Sequence, residues 1–310
     1  MVLASSDLPH KEDKMKLKVV ASLVLLCALM APSVLGADPS DRVTILYDAF
    51  GKSSELKMDW GYSALIERDG KRILFDTGNN PEIFAENVKK LGVDLKKLDF
   101  VVMSHRHADH ATGLDYVLSV NPRVTVYVPR ELAGGFGDSV PKSFYRTNDS
   151  LPSGMRYFGG RPPEKIAFGT FWKDAKFVLV DKTTEVAPGV YLIPTISQVP
   201  PFVGLPEISL GIRTQKGLLL FAGCSHAGIE KILEASMSVD NHIHLLFGGL
   251  HLIQTPDPEI ERVSTALHDK WKLDRIAPGH CTGEPAFAAL QKLFDRDYLY
   301  AGVGTVIELR

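Results

Sequence analysis

The chain has 310 residues, enough for one large domain or two ordinary ones, and its 45% hydrophobic and 23% charged composition is that of a globular protein with a full core. Its formal net charge of −2 lacks the basic excess that nucleic-acid binders spread over a surface, and no block of like charge marks an acidic tail. Nucleic acid is therefore not an expected partner.

In chain order, residues 1–37 read as a signal peptide rather than as part of the fold. Lys14, Lys16 and Lys18 precede the apolar run "VVASLVLLCALMA", and the small residues of "PSVLGAD" follow it. Met15, opening "MKLKVV", is an alternative start. The run is shorter than the roughly 20 apolar residues of a membrane span. The expectation is export to the periplasm or beyond, with no stable span after cleavage; an uncleaved N-terminal anchor is the competing reading.

Residues 38–310 read as one domain in which strand-like and helix-like segments alternate. "RVTILYDAF" and the hairpin "YSALIERDGKRILFDTG", turning at Asp69-Gly70, lead into a helix over "PEIFAENVKKLG". "LDFVVMSH" is a buried strand, "HATGLDYVLSV" the start of a helix, and "RVTVYVP" a further strand. Residues 131–165 then change character, being rich in Gly, Pro and Ser with no period, and read as a lid-like insertion. Phe136, Phe144, Tyr145, Tyr157 and Phe158 favour a lid over a linker. Beyond it, strands turn at Pro188-Gly189 and near Lys216-Gly217, and helices over "AGIEKILEASM", "DPEIERVSTALHDKWK" and "EPAFAALQKLF" alternate with "HIHLLFGGLHL" and "RIAPGHCTG". "GKRILFDTG" and "KGLLLFAGC" echo one another, which suggests two related halves.

The polar residues that stand out all follow apolar strands: Asp76 after "RILF", the cluster His105 to His110 after "FVVMS", Cys224 and His226 after "LLLFAG", His251 after "LLFGGL", and His280 after "RIAPG". Sites built where strands end are the usual arrangement in α/β enzymes. His105 and His107, two apart, can face one cation while Asp109 and His110 face another, and imidazoles with a carboxylate suit zinc, iron or manganese. Two such cations share the work of activating water and polarising the attacked bond. Asp76 fits the task of orienting a metal-bound histidine. His251 fits a proton donor or anion contact, against a buried hydrogen-bonded histidine. His226 could instead be only a polar residue opening a helix. Cys224 could ligate as a thiolate or only pack, and both readings stay open. Cys224 and Cys281, the cysteines left after residue 37, could form a disulfide in an exported protein, but each adjoins a histidine and a role at a metal site is favoured. His10, His242, His244 and His268 carry no signal.

"HRHADH" matches the His-x-His-x-Asp-His signature of the metallo-β-lactamase superfamily, as does "LFDTG" before it. "GYSALIERDGKRILFDTG", "GCSHAGIEKIL", "FGGLHL" and "PGHCTG" resemble its branch of 7,8-dihydropterin-6-yl-methyl-4-(β-D-ribofuranosyl)aminobenzene 5′-phosphate synthase-like metallohydrolases, from about residue 43 to the C-terminus. The resemblance implies an αββα sandwich of the α/β class, two sheets between helix layers with the metal site at one edge. It implies His105, His107, Asp109, His110 and His280 as ligands of one or two Zn²⁺, with Mn²⁺ or Fe as alternatives. The chain departs from the superfamily pattern at Cys224, which stands where a bridging aspartate is expected, and at "IPTISQVP", which offers no histidine; His226 is the natural replacement. Arg106 and Ala111 also differ from the commoner Gly and Thr. The activity implied is hydrolysis by a metal-bound hydroxide of a phosphodiester, cyclic phosphate or other phosphate ester, with Asp109 orienting the nucleophile and His251 serving the leaving group. Lactone or carboxylic ester hydrolysis, and a non-catalytic metal-binding role, are the alternatives. The expected partner is a small-molecule substrate, and the sequence leaves the oligomeric state open.

Overall fold

The computed structural model describes residues 41–131, 136, 138–141, 143, 149–150, 152–168 and 172–309. The expected signal segment, and Phe144 and Tyr145 of the expected lid, lie outside them. No helix among the described residues is long and apolar enough to cross a membrane.

Strands β1 (Arg42–Tyr47), β2 (Ser63–Arg68) and β3 (Lys71–Phe75) form an antiparallel meander. The β2–β3 turn falls at Asp69-Gly70 as the sequence predicts, with φ of 48° and 73°, the left-handed pair that a two-residue hairpin of this twist requires. Parallel strands β4 (Phe100–Val102), β5 (Thr125–Pro129) and β8 (Lys176–Val180) extend this sheet on one side. The C-terminal strand β15 (Val306–Glu308) closes the other, giving seven strands in the order β15-β1-β2-β3-β4-β5-β8.

The second sheet repeats the plan. Strands β9 (Thr184–Ala187), β10 (Val190–Ile196), β11 (Pro206–Thr214) and β12 (Gly217–Ala222) are antiparallel, and β13 (Ile243–Gly248) and β14 (Arg275–Pro278) add in parallel to make six. The two echoing segments are β3 and β12, in each sheet the strand at which the meander gives way to parallel pairing. A small hairpin of β6 (Asp138–Pro141) and β7 (Lys165–Phe168) rises from the insertion. Phe136 does not cover the site: it is buried against Phe177, in the layer outside the first sheet. Phe158 is exposed.

Alternation along the strands divides the core into three layers. Ile73 and Phe75 of β3, with Leu219 and Phe221 of β12 and Leu245 and Phe247 of β13, point between the sheets. Leu74 points outward to α1 (Pro81–Lys90) and to α3 (Leu114–Val120). Leu218, Leu220 and Leu246 point outward to α4 (Ile229–Ser236), α5 (Asp257–Thr265) and α6 (Glu284–Phe294). This is the expected αββα sandwich. The helix expected from "HATGLDYVLSV" differs in one respect, being split into α2 (Ala108–Ala111) and α3 at Gly113. A Cβ on Gly113 would stand 2.0 Å from the Thr77 carbonyl oxygen, so the break lets the chain close against the loop after β3.

Phe221 and Phe247 stack between the sheets with centroids 4.5 Å apart and planes within 4°, both wholly buried. Phe247 also leads directly into the loop that carries His251. Phe247→Ala is expected to lower unfolding stability by about 3–5 kcal/mol, read from denaturant titration, because it opens a cavity that neighbouring strands cannot close.

Candidate metal centre

The strands β1, β3, β4, β12, β13 and β14 all run toward one edge of the sandwich, and each delivers polar residues there. Asp76, His105, His107, Asp109, His110, Cys224, His226, His251 and His280, flagged from different parts of the sequence, are brought together in a single cluster. Asp76, Ser225, His251 and His280 hold positive φ, between 48° and 64°, just after their strands. Non-glycine residues in this region are uncommon, and clusters of them mark functional sites more often than chance.

The histidines face inward because their outer nitrogens are tied. Asp76 accepts from the Ser104 amide at 2.7 Å, from Ser104 Oγ at 2.7 Å and from His110 Nδ1 at 2.7 Å. Ser104 Oγ also lies 2.8 Å from His105 Nδ1. With its own hydrogen given to Asp76, it accepts the His105 proton. His226 Nδ1 donates to Glu207 Oε1 at 2.8 Å, and Glu207 Oε2 takes the Ala227 amide at 3.3 Å. His105, His110 and His226 are thereby fixed with Nδ1 protonated and Nε2 bare, the form that binds a cation.

The free nitrogens converge. His105, His107 and His226 place ligand atoms within 4.8 Å of one another, and so do Asp109, His110 and His280. His110 Nε2 lies 3.1 Å from His280 Nε2, which is 3.4 Å from Asp109 Oδ2. Cys224 stands between the two groups, near His105 and His110 on one side and His226 and His251 on another. Cys224 also lies within ligand distance of His280 and Cys281, so it borders both donor groups. Cys224 and Cys281 are free thiols with sulfurs 3.1 Å apart, so the disulfide reading is not what the structure holds.

The electrostatics fit a cation. Burial, with the crowding of His110, His226, His107 and His280, holds the His105 pKa well below the ordinary value. Burial and His226 push His107 down to about 4. Burial opposes ionisation of Asp109, but its bond to His280 and the nearby His110 hold its carboxyl below the usual range. Neutral imidazoles at His105 and His107 and the ionised Asp109 are donors that zinc, manganese or iron takes, while against burial Cys281 and Asp109 push His280 up to about 9. Nitrogens in this cluster also lack protein partners among the described residues: His280 Nδ1 and His251 Nδ1 are buried with none. The residues present therefore fit a divalent metal centre.

Sequence reasoning missed three supports. Asp48 follows β1 as Asp76 follows β3, and its carboxylate takes the His280 amide at 2.9 Å; burial pushes it up to about 7. The same strand-end rule would have found it. Glu207 was legible only as a charge inside the apolar run of β11. Ser104 carried no signal. His242 and His244 stand apart, sharing Asp274.

Asp76→Asn and Glu207→Gln are each expected to lower metal affinity about 10–100-fold, measured against a chromophoric chelator, because the histidines lose their fixed tautomer. Unchanged affinity in both would contradict the assignment of these carboxylates.

Residues 61–195 match the metallo-beta-lactamase superfamily model. The 7,8-dihydropterin-6-methyl-4-(beta-D-ribofuranosyl)-aminobenzene-5'-phosphate synthase of Methanocaldococcus jannaschii is 29% identical over 283 residues, covering 86% of this chain and 95% of that protein. A solved metal-dependent hydrolase of the beta-lactamase superfamily superposes with a TM-score of 0.65 at 24% identity, over 87% of this chain and 99% of the other. The metallo-beta-lactamase fold protein YhfI of Bacillus subtilis superposes at 0.53 and 14% identity, over 87% and 100%. The chain thus shares its sandwich fold with these solved structures, and its residues 61–195 resemble the metallo-beta-lactamase superfamily.

Proposed function

We propose that the chain is a metal-dependent hydrolase of phosphate esters, with phosphodiesters and cyclic phosphates as the leading substrates. The observation that carries this reading is the pair of donor groups, His105, His107 and His226 beside Asp109, His110 and His280, with Cys224 between them. Divalent cations held there, zinc first, would supply an activated water and would polarise the phosphoryl oxygen. The M. jannaschii relative is itself named for a 5'-phosphate compound.

The protein's own part is placement. Asp76 and Glu207 hold the imidazoles in one tautomer, so the cluster does not reorganise as charge develops. Asp109, ionised and 21% exposed at its side chain, reaches the open side of the centre and can orient a water there. His251, its ring centroid 4.4 Å from that of His226, would give a proton to the departing oxygen.

Purified protein is expected to carry close to two metal ions per chain and to hydrolyse bis(p-nitrophenyl) phosphate. Chelation should abolish turnover, and zinc or manganese should restore it. His110→Ala is expected to lose at least 100-fold in rate together with metal content. A metal-loaded protein inert on phosphodiesters but active on lactones or aryl carboxylates would move the assignment to ester hydrolysis. Inertness on both would favour a metal-binding protein.

A further inference from the structure

Four of the histidines form a row, with His226 and His251 beside its far end, and an aromatic side chain stands at each end of the row. Ring centroids step from His280 to His110 at 4.7 Å, to His105 at 4.2 Å and to His107 at 4.6 Å. Trp60 lies 4.9 Å from His280 at one end. Phe202 lies 5.5 Å from His107 at the other, and also 4.3 Å from His226 and 5.2 Å from His251.

Both aromatics are held by the backbone of the centre itself. Trp60 sits between Asp59, whose carboxylate accepts from the Tyr47 hydroxyl, and Tyr62, whose amide donates to the Asp109 carbonyl at 3.2 Å. The loop of Phe202 is closed by the Ser197 amide on Leu205 O at 2.9 Å and pinned by Ser197 Oγ on His226 O at 2.8 Å. Their positions are therefore set before any ligand arrives. Screening metal ligands from water would require buried rings, yet Trp60 is 41% exposed. Met58 beside it, Val199 and Val203 on the Phe202 loop, and Ile253 after His251 also present large apolar surface to solvent. Apolar surface gathered round a polar centre marks a binding groove rather than a neutral exterior. Arg106, the cation inside the histidine motif, is turned away to Glu131 Oε2 at 3.3 Å. The rim in contact with the row is thus built for flat, uncharged groups, one at each end.

Resting on the phosphate-ester reading above, we propose that Trp60 and Phe202 are the two walls of a substrate subsite that takes a phosphodiester with a planar ring on each side of phosphorus. A monoester would fill one wall and leave the other bare.

The test uses the metal-loaded protein and three phosphinates that cannot be hydrolysed: dimethylphosphinate, methyl(phenyl)phosphinate and diphenylphosphinate. Dissociation constants come from calorimetry, so the readout is binding rather than turnover. Each ring is expected to tighten binding about tenfold, equivalent to about 1.4 kcal/mol. Trp60→Ala and Phe202→Ala should each remove one step of that ladder and leave dimethylphosphinate binding and metal content unchanged. Trp60→Phe and Phe202→Tyr should keep it, which separates loss of a wall from loss of folding. Dimethylphosphinate binding with no gain from either ring overturns the two walls and leaves the phosphate reading standing. If no phosphinate binds, the phosphodiester proposal and the phosphate reading both fall. A preference for benzoate over acetate that is lost in the alanine variants would then retain the walls for a carboxylic ester.

Discussion

The candidate site depends first on one buried carboxylate. Asp76, wholly inaccessible to solvent, takes three hydrogen bonds, from the amide and hydroxyl of Ser104 and from His110. Through Ser104 it also sets His105. It thereby joins the end of β3 to the loop after β4 and decides which nitrogens of two histidines remain free. A buried acid without such partners would be costly. Here the satisfied network makes the cluster rigid. The second sheet answers with Glu207, which does the same for His226, and β1 contributes Asp48 beneath His280. Each sheet thus brings a histidine and the acid that aims it.

This arrangement explains why strain is tolerated where it is. Four site residues, Asp76, Ser225, His251 and His280, adopt left-handed backbone. Such residues cost of order 1–3 kcal/mol each and persist only when their surroundings over-determine them. The surroundings are the three apolar layers, whose strands are buried on both faces at β3, β12 and β13 and hold the strand ends at fixed separations. Crossing from apolar strand to polar loop within one or two residues lets a dry core and a charged centre lie side by side.

Much of this was legible in the sequence, for a physical reason. Ligands crowded within six residues, as in His105 to His110, announce themselves locally, and apolar runs ending in His226, His251 and His280 point to the same edge once the strands are taken as parallel. The hairpin at Asp69-Gly70 and the echo of β3 in β12 were readable from turn chemistry and pattern. What was not readable depended on partners distant in the chain. Glu207 looks like any strand glutamate until His226 is placed against it. The position of Cys224 between two donor groups needs both halves of the fold. Phe136 was expected over the site and instead packs on Phe177, since an apolar ring in an irregular segment gives no sign of which layer will take it. Gly113 split a helix because its close approach to Thr77 is a tertiary demand.

We propose that the strand ends form one centre in which Cys224 would lie between two cation positions. Cobalt(II) titration of the metal-free protein, followed by visible and near-ultraviolet absorption, tests it most directly. The account predicts two equivalents bound per chain, with a sulfur-to-cobalt charge-transfer band that vanishes in Cys224→Ser while the histidine-ligated visible bands remain. Failure to take up cobalt, or uptake of a single equivalent with a spectrum indifferent to Cys224, would contradict it.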